Sequence, residues 1–227
     1  NEAVRAAFQR LVWQRVPTGS LIMDFGCGTG TDALLYTRMG YRVLAYDNSP
    51  GMMHTLEQKG QAEIANGTLT PIQGRYEELL ARLETLPRPA AIVSNFAVLN
   101  QIENVAEWLQ VMAAFLEPKG WLMVSILNPF FWWDMRRRWW WQGIRKGWRN
   151  GYVVYDTTDG FTTYRHFIGK LQKRARQAGL QLKAQRSAGI LLPAERPGRE
   201  NTYPFPQVQA VERTWGKAWG IRSLGNF

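Results

Sequence analysis

The segment DFGCGTG, residues 24–30, holds three alternating glycines, the carboxylate of Asp24 and Cys27, which is the chain's only cysteine. Glycine has no Cβ, so a glycine-rich loop lets the backbone come close to a bound ligand. The segment therefore predicts a ligand-binding loop, and the alternative is an ordinary turn between a strand and a helix. The spacing of the glycines indicates which class of ligand the loop can bind.

Two common nucleotide loops do not fit this spacing. A phosphate loop of the G-x-x-x-x-G-K-[ST] type ends in a lysine, and no lysine occurs before Lys59. A dinucleotide fingerprint, G-x-G-x-x-G counted from Gly26, needs glycine at position 31, which is threonine. The third glycine, Gly30, comes one residue too early. A third kind of loop has to be considered.

A second acidic residue, Asp47, follows Gly26 by 21 positions, in the segment YDNSPGMM. In dinucleotide-binding folds, an acid at about this distance binds the ribose hydroxyls of the nucleotide. Hydrogen bonds from two hydroxyls to one carboxylate are charge-assisted and directional. Asp47 is therefore a candidate ribose ligand, and the alternative is an acid that merely ends a strand.

The elements around these residues alternate between strand and helix patterns. Five alternations with short connections predict an open, mostly parallel sheet with helices on both faces. Ligands of such sheets bind beyond the carboxyl ends of the strands, where Gly26 and Asp47 are expected. The expected strands are 21–25, 42–47, 69–73, 90–96 and 121–127, and the expected helices are 3–15, 31–39, 49–59, 76–83 and 105–116.

The glycine segment resembles D-x-G-x-G-x-G, the first motif of class I S-adenosylmethionine-dependent methyltransferases, and YDNSPGMM resembles their D-x-S-x-x-M. Residues 94–102 are similar to the strand and turn beside the reacting methyl group, and 115–126 to the elements that follow it. The resemblance spans about residues 19–127. It implies an α/β, doubly wound, Rossmann-like fold with a seven-stranded sheet, in which 180–185 and 221–227 supply the sixth and the reversed seventh strand.

The resemblance also implies how S-adenosylmethionine binds. The loop approaches the methionine part, Asp24 accepts from its ammonium group, and Asp47 accepts from the ribose. Where the family usually has an acid that contacts the adenine amino group, this chain has Arg75, so a backbone carbonyl or Glu77 takes that role. The implied cofactor-binding residues are Asp24, Gly26, Cys27, Gly28, Gly30, Asp47, Asn48, Met52, Arg75, Tyr76, Asn95 and Phe96.

Methyl transfer from a sulfonium is an in-line displacement, so positioning and exclusion of water matter more than a catalytic triad. A base is needed only for a weakly nucleophilic acceptor. His166 and Tyr164, with Tyr155, fall in the part of the chain that lines the acceptor pocket in this family. His166 can take a proton near pH 7, or it is a surface histidine beside Arg165. One cysteine and two histidines predict no metal site.

The second part of the chain differs in composition from the first. Residues 1–127 carry 10 Lys/Arg and 12 Asp/Glu, whereas residues 128–227 carry 18 and 6, together with eight of the eleven tryptophans. We expect one domain with a cofactor-binding half, 1–127, and an acceptor-side half, 128–227, that includes an insertion or lid at 128–164. Within it we expect a hairpin of 151–155 with 161–164 and a helix over 165–178.

NPFF, residues 128–131, is similar to the N-P-P-[YF] motif of methyltransferases that act on amide or base nitrogen. It follows the fifth expected strand, whereas that motif follows the fourth. We therefore interpret Asn128 as an N-cap and Pro129 as the first residue of a Trp/Arg-rich helix. That helix, within 130–148, is a lid, a membrane contact, a nucleic-acid surface or a packed element.

These observations define the expected function. No apolar run is long enough for a membrane span and no secretory signal is visible, so we expect a cytoplasmic protein, and peripheral contact with a membrane stays open as an alternative. We expect methyl transfer from S-adenosylmethionine to a small-molecule or lipid-like acceptor. The alternatives are an RNA methyltransferase that uses the basic half and a non-catalytic, cofactor-binding protein at a membrane.

Overall fold

The computed structural model describes residues 2–127, 129–130, 138–156, 162–186 and 222–223. Its centre is a five-stranded sheet in the order β3-β2-β1-β4-β5, and every neighbouring pair in it is parallel. The order reverses between β1 and β4, which places a crevice at the carboxyl ends of these two strands. The strands are β1 (Leu21–Phe25), β2 (Arg42–Asp47), β3 (Leu69–Gln73), β4 (Ala91–Ser94) and β5 (Trp121–Val124).

Helices cover both faces of this sheet. One face packs against α1, α2 and α3, and the other packs against α5, α6 and α8, so the molecule has two apolar cores. The α/β fold predicted from the sequence is confirmed. The helices are α1 (Glu2–Arg15), α2 (Thr31–Arg38), α3 (Pro50–Lys59), α4 (Gln61–Ala65), α5 (Tyr76–Arg82), α6 (Val105–Phe115), α7 (Arg138–Asn150) and α8 (Ile168–Gln177), with a 3₁₀ helix at Val98–Gln101.

The alternation of side chains along β1 determines which face of the sheet carries Asp24. Met23 and Phe25 belong to the core under α6, while Ile22 belongs to the core under α1 and α2. Because successive side chains of a strand point to opposite faces, Asp24 lies on the same face as Ile22. The acid is therefore buried at the end of a strand, on the side of the N-terminal helices.

The second part of the chain adds a helix and a hairpin to the carboxyl end of the sheet. β6 (Tyr152–Asp156) and β7 (Thr162–His166) pair in antiparallel, as expected, and α7 packs on β6. Helix α8 begins only at Ile168, not at Arg165 as predicted, because Arg165 and His166 pair with β6 in the ladder. The expected helix entry is also wrong at Pro129, which lies in no helix, and Asn128 falls outside the described residues.

Among the described residues, the sheet has five strands and not seven. The expected sixth strand is reduced to β8 (Ala184–Arg186), which pairs in antiparallel with β9 (Arg222–Ser223) as a separate ladder. Leu180 does not extend it, because its N–H donates to Ala175 O and completes the C-terminal cap of α8. The rest of the expected seventh strand lies outside the described residues.

Candidate cofactor and acceptor site

The glycine loop and β2 end side by side, and Asp47 joins them. Asp47 Oδ2 accepts the N–H of Gly28 at 2.9 Å, and Oδ1 accepts the N–H of Ser49 at 2.9 Å. Ser49 is also the N-cap of α3, as expected, with Met52 N–H donating to its Oγ. The structure therefore brings the two sequence-predicted acids and the loop together at one edge of the sheet.

The structural constraint that favours glycine differs among the three glycine positions of the loop. All have positive φ, at 78° for Gly26, 54° for Gly28 and 78° for Gly30. A Cβ on Gly26 would lie 2.5 Å from Val98, and one on Gly30 would lie 2.7 Å from Leu56. A Cβ on Gly28 would meet no atom within 4 Å. Packing alone explains Gly26 and Gly30, whereas Gly28 opens onto free space.

Asp24 is a buried carboxyl whose Oδ2 has no hydrogen-bond partner among the described residues. Burial, together with the negative charges of Asp32 and Asp47, raises the pKa of Asp24 to about 8, although the nearby Arg5 opposes the shift. An acid in this position is stabilised by a cationic ligand that also supplies hydrogen-bond donors. The site thus fits a small ligand with an ammonium group.

The N-terminal helix is tied to the same edge of the sheet through Asp32, the second residue of α2. Asp32 accepts from Gln9 Nε2 at 2.7 Å and pairs with Arg5 Nε at 3.3 Å. The guanidinium of Arg5 also lies 4.8 Å from the centre of the Phe96 ring. Sequence analysis missed this contact, because no motif connects α1 to the loops that follow β1 and β4.

The loop after β4 is held in an unusual backbone conformation. Phe96 and Ala97 have φ of 55° and 64°, a region that residues other than glycine rarely adopt. Asn95 supports this conformation, since its Oδ1 accepts Phe96 N–H at 2.9 Å and Ser125 Oγ at 3.0 Å. Such strain is typical of functional sites. Asn95 and Phe96 lie at the carboxyl end of β4, and their contact with the cofactor stays a prediction.

The residues predicted to bind near the adenine differ in their exposure and in their contacts. Met52 and Asn48 are exposed at the start of α3, and Tyr76 is half-buried. Arg75 is directed to Glu78, with Arg75 Nε 3.0 Å from Glu78 Oε1. Cys27 points into the core, where its thiol lies 3.8 Å from Met53 Sδ, and burial raises its pKa.

A buried asparagine that sequence analysis missed fastens the hairpin to this edge. Asn100 Nδ2 donates to Leu127 O at 2.9 Å and to Tyr164 O at 2.7 Å, and its Oδ1 accepts Leu127 N–H at 2.7 Å. One side chain thereby links the 3₁₀ helix after β4, the end of β5 and strand β7. The only sequence signal is a polar residue within the apolar segment AVLNQI.

The predicted acceptor-side residues take different positions. His166 is buried, and its Nε2 lies 3.3 Å from Leu99 O and 3.1 Å from Ile102 O, with a pKa lowered by burial. It is thus not a surface histidine. Tyr164 donates from its hydroxyl to Glu103 Oε2 at 3.4 Å, and Tyr152 donates to Glu103 Oε1 at 2.5 Å. The side chain of Tyr155 lies outside the described part of the structure.

The described residues lack both a metal site and a membrane-spanning helix. They contain no group of three or more His, Cys, Asp or Glu side chains arranged to hold a metal ion. They also contain no helix with the length and apolar character that crossing a membrane requires.

The family of the chain follows from its similarity to known proteins. Residues 1–160 match the model of a methyltransferase domain, so the chain belongs to that family. It is 28% identical over 140 residues to the biotin biosynthesis bifunctional protein BioHC of Saccharophagus degradans, covering 60% of this chain and 23% of that protein. It is also 28% identical over 112 residues to the mitochondrial ubiquinone biosynthesis O-methyltransferase of Schizosaccharomyces pombe, covering 49% and 39%. The matches therefore span less than half of either relative.

Solved structures agree on the fold. The 1,6-didemethyltoxoflavin-N1-methyltransferase of Burkholderia thailandensis, crystallised with 1,6-didemethyltoxoflavin and S-adenosylhomocysteine, aligns with a TM-score of 0.59 at 16% identity, covering 100% of this chain and 77% of that one. An S-adenosylmethionine-dependent methyltransferase of Mesorhizobium loti aligns with a TM-score of 0.59 at 13% identity, covering 98% and 96%. At these identities the likeness establishes the Rossmann-like methyltransferase fold.

Proposed function

We propose that this chain transfers a methyl group from S-adenosylmethionine to a small-molecule acceptor. The observation that carries the proposal is the buried carboxyl oxygen of Asp24, which has no hydrogen-bond partner among the described residues, together with the open space at Gly28 in the same segment. The ammonium group of the cofactor's methionine part would satisfy that oxygen. Membership of the methyltransferase domain family supports the same assignment.

The protein's part in this reaction is to bind and orient the cofactor, which supplies an electrophilic methyl group on a sulfonium. Asp24 holds the ammonium end, and Asp47 holds the ribose hydroxyls. Because Asp47 already accepts from Gly28 and Ser49, the loop and the start of α3 are fixed in place before the cofactor arrives. This arrangement lowers the entropic cost of aligning the methyl group for in-line displacement.

In this proposal the acceptor enters between the loop after β4 and the hairpin of β6 and β7. Phe96, which is 43% exposed, and the hydroxyls of Tyr152 and Tyr164 around Glu103 offer an apolar surface and polar anchors there. Of these residues, we expect Tyr164 to contact the acceptor. His166 lies within hydrogen-bonding distance of two backbone carbonyls, so we expect it to position the hairpin and not to act as the general base.

The names of the relatives support a small acceptor. They refer to biotin biosynthesis, ubiquinone biosynthesis and 1,6-didemethyltoxoflavin, none of which is a macromolecule. A lipid-like acceptor would also suit the aromatic residues of the second half. None of these comparisons favours RNA as the acceptor.

Calorimetry with S-adenosylhomocysteine tests the cofactor assignment. We expect binding in the micromolar range, and we expect Asp47→Ala to weaken it by about 1.5 to 3 kcal/mol, because charge-assisted hydrogen bonds are lost. Glu117→Ala is the matched control, since it removes an exposed acid that lies before the amino end of β5, away from the cofactor loop. Binding of NADH with no binding of S-adenosylhomocysteine would overturn the assignment.

A further inference from the structure

Five aromatic rings form a continuous cluster on and beside α7. Trp141 contacts Trp140 with ring centres 4.8 Å apart, and Trp140 contacts Phe130 at 6.0 Å. Phe130 contacts Phe167 at 5.7 Å, and Phe167 contacts Trp148 at 5.5 Å. The rings therefore form one continuous packed cluster.

Two of the five rings are buried and three are exposed. Trp140 and Phe167 form the buried base, and Trp140 Nε1 donates to Pro129 O at 2.7 Å. Phe130, Trp141 and Trp148 are 46%, 58% and 62% exposed. Large apolar side chains that are held rigidly at a surface mark an interaction site more strongly than scattered ones do.

A row of arginines lies next to the exposed tryptophans. Trp141 and Trp148 are seven residues apart, so they lie on one side of α7, separated by about 10.5 Å along its axis. Arg138, Arg145 and Arg149 are exposed and fall on the adjoining side. None of the three forms an ion pair within the described part of the chain, and residues 138–150 contain no acid.

We propose that this aromatic–arginine surface, Phe130, Trp141 and Trp148 with Arg138, Arg145 and Arg149, docks on an anionic phospholipid membrane. Indole rings favour the headgroup level of a bilayer, and the arginine row meets anionic headgroups beside them. A helix with these two adjoining sides lies in the plane of the membrane surface. This binding is independent of methyl transfer.

The shape of the surface favours a membrane over a nucleic acid. A single strand binds along a basic groove with bases stacked on aromatic faces. α7 is instead a convex helix, and its exposed rings meet the buried ones edge to face, at 88° for Trp141 on Trp140 and 71° for Trp148 on Phe167. The exposed rings thus do not form a row of parallel faces on which bases would stack, and this favours a lipid interface.

Co-sedimentation with vesicles tests the proposal. The protein should bind vesicles of phosphatidylcholine mixed with phosphatidylglycerol, and the binding should weaken in high salt. Arg138→Gln/Arg145→Gln/Arg149→Gln should lower the affinity by at least about tenfold, because each basic residue near an anionic surface contributes to binding. Trp141→Ser/Trp148→Ser should lower it as well.

Two matched variants control for charge and for aromatic content. Arg42→Gln/Arg82→Gln/Arg88→Gln removes three exposed arginines near the amino ends of the strands, and Trp13→Ser removes a tryptophan that is 64% exposed on α1. Both should bind the mixed vesicles as wild type does, and circular dichroism should show that every variant is folded. Equal binding by the α7 variants would overturn the proposal. Binding to a single-stranded RNA but not to vesicles would also overturn it.

Discussion

Asp24 is buried, its Oδ2 has no hydrogen-bond partner in the described part of the chain, and two acids lie near it, a combination that destabilises its charged form. In the ligand-free protein this carboxyl therefore holds a proton at pH 7, since its pKa is raised to about 8. A ligand ammonium reverses the balance, because it favours the carboxylate. Cofactor binding should therefore expel a proton.

We predict that the affinity for S-adenosylhomocysteine rises with pH from about pH 6 to about pH 8, by up to about tenfold per unit, and levels off above the pKa of Asp24. Calorimetry in two buffers of different ionisation enthalpy should detect about one proton released for each ligand bound at pH 7. Binding without proton release and without pH dependence would mean that the ammonium does not meet Asp24.

Asp24→Asn provides the control for this prediction. The folded pKa of Asp24 lies above its unfolded value of 3.8, so ionisation of this residue in the unfolded chain lowers the stability of the protein as the pH rises from about 4 to about 8. An asparagine does not ionise and is free of this pH-dependent loss. The free energy of unfolding of the variant should therefore exceed that of wild type by more at about pH 8 than at about pH 5, and the variant should bind the ligand weakly at every pH.

At the scale of elements, the glycine loop and the alternating strands could be predicted from the sequence because their signals are local. The spacing of Gly26, Gly28 and Gly30 after an apolar run fixes both the loop and its place at the edge of a parallel sheet. The separate roles of these glycines could not be predicted, because Val98 and Leu56 approach them from distant elements.

The features that could not be predicted from the sequence all depend on tertiary contacts. The start of α8 is set by the pairing of β6 with β7, and the start of the expected sixth strand is lost to the helix cap at Leu180. Arg5 and Asn100 act through side-chain contacts that cross 27 and 64 positions of the chain, to Asp32 and Tyr164. No periodic pattern carries that information.

A matched pair of variants tests the prediction that the glycine loop binds the cofactor. Gly28 and Gly67 both have positive φ, and a Cβ on either would meet nothing within 4 Å. Gly28→Val and Gly67→Val should each lose about 1 to 2 kcal/mol of stability, the cost of a left-handed conformation for a residue with a Cβ. Only Gly28→Val should also lose S-adenosylhomocysteine binding, measured by calorimetry, because its side chain enters the space for the ligand. Equal binding by both variants would remove the loop from the site.

At the scale of the whole molecule, the two parts of the chain differ in charge. The half that carries Asp24, Asp32 and Asp47 is slightly acidic, which suits a cationic cofactor, and the half that carries α7 and the hairpin is strongly basic. The two halves meet at the carboxyl edge of the sheet, where Asn100 fastens the hairpin. The methyl acceptor is expected at this junction, between the fixed cofactor loop and the attached second half.

Transfer of a labelled methyl group tests the central claim most directly. The protein is incubated with methyl-labelled S-adenosylmethionine and a cell extract that has been separated into small molecules, lipids, RNA and protein, and Gly28→Val serves as the binding-deficient control. We predict that wild type places label in the small-molecule or lipid fraction and that Gly28→Val places none. Label in the RNA fraction alone, or binding of the cofactor with no transfer to any fraction, would contradict the account.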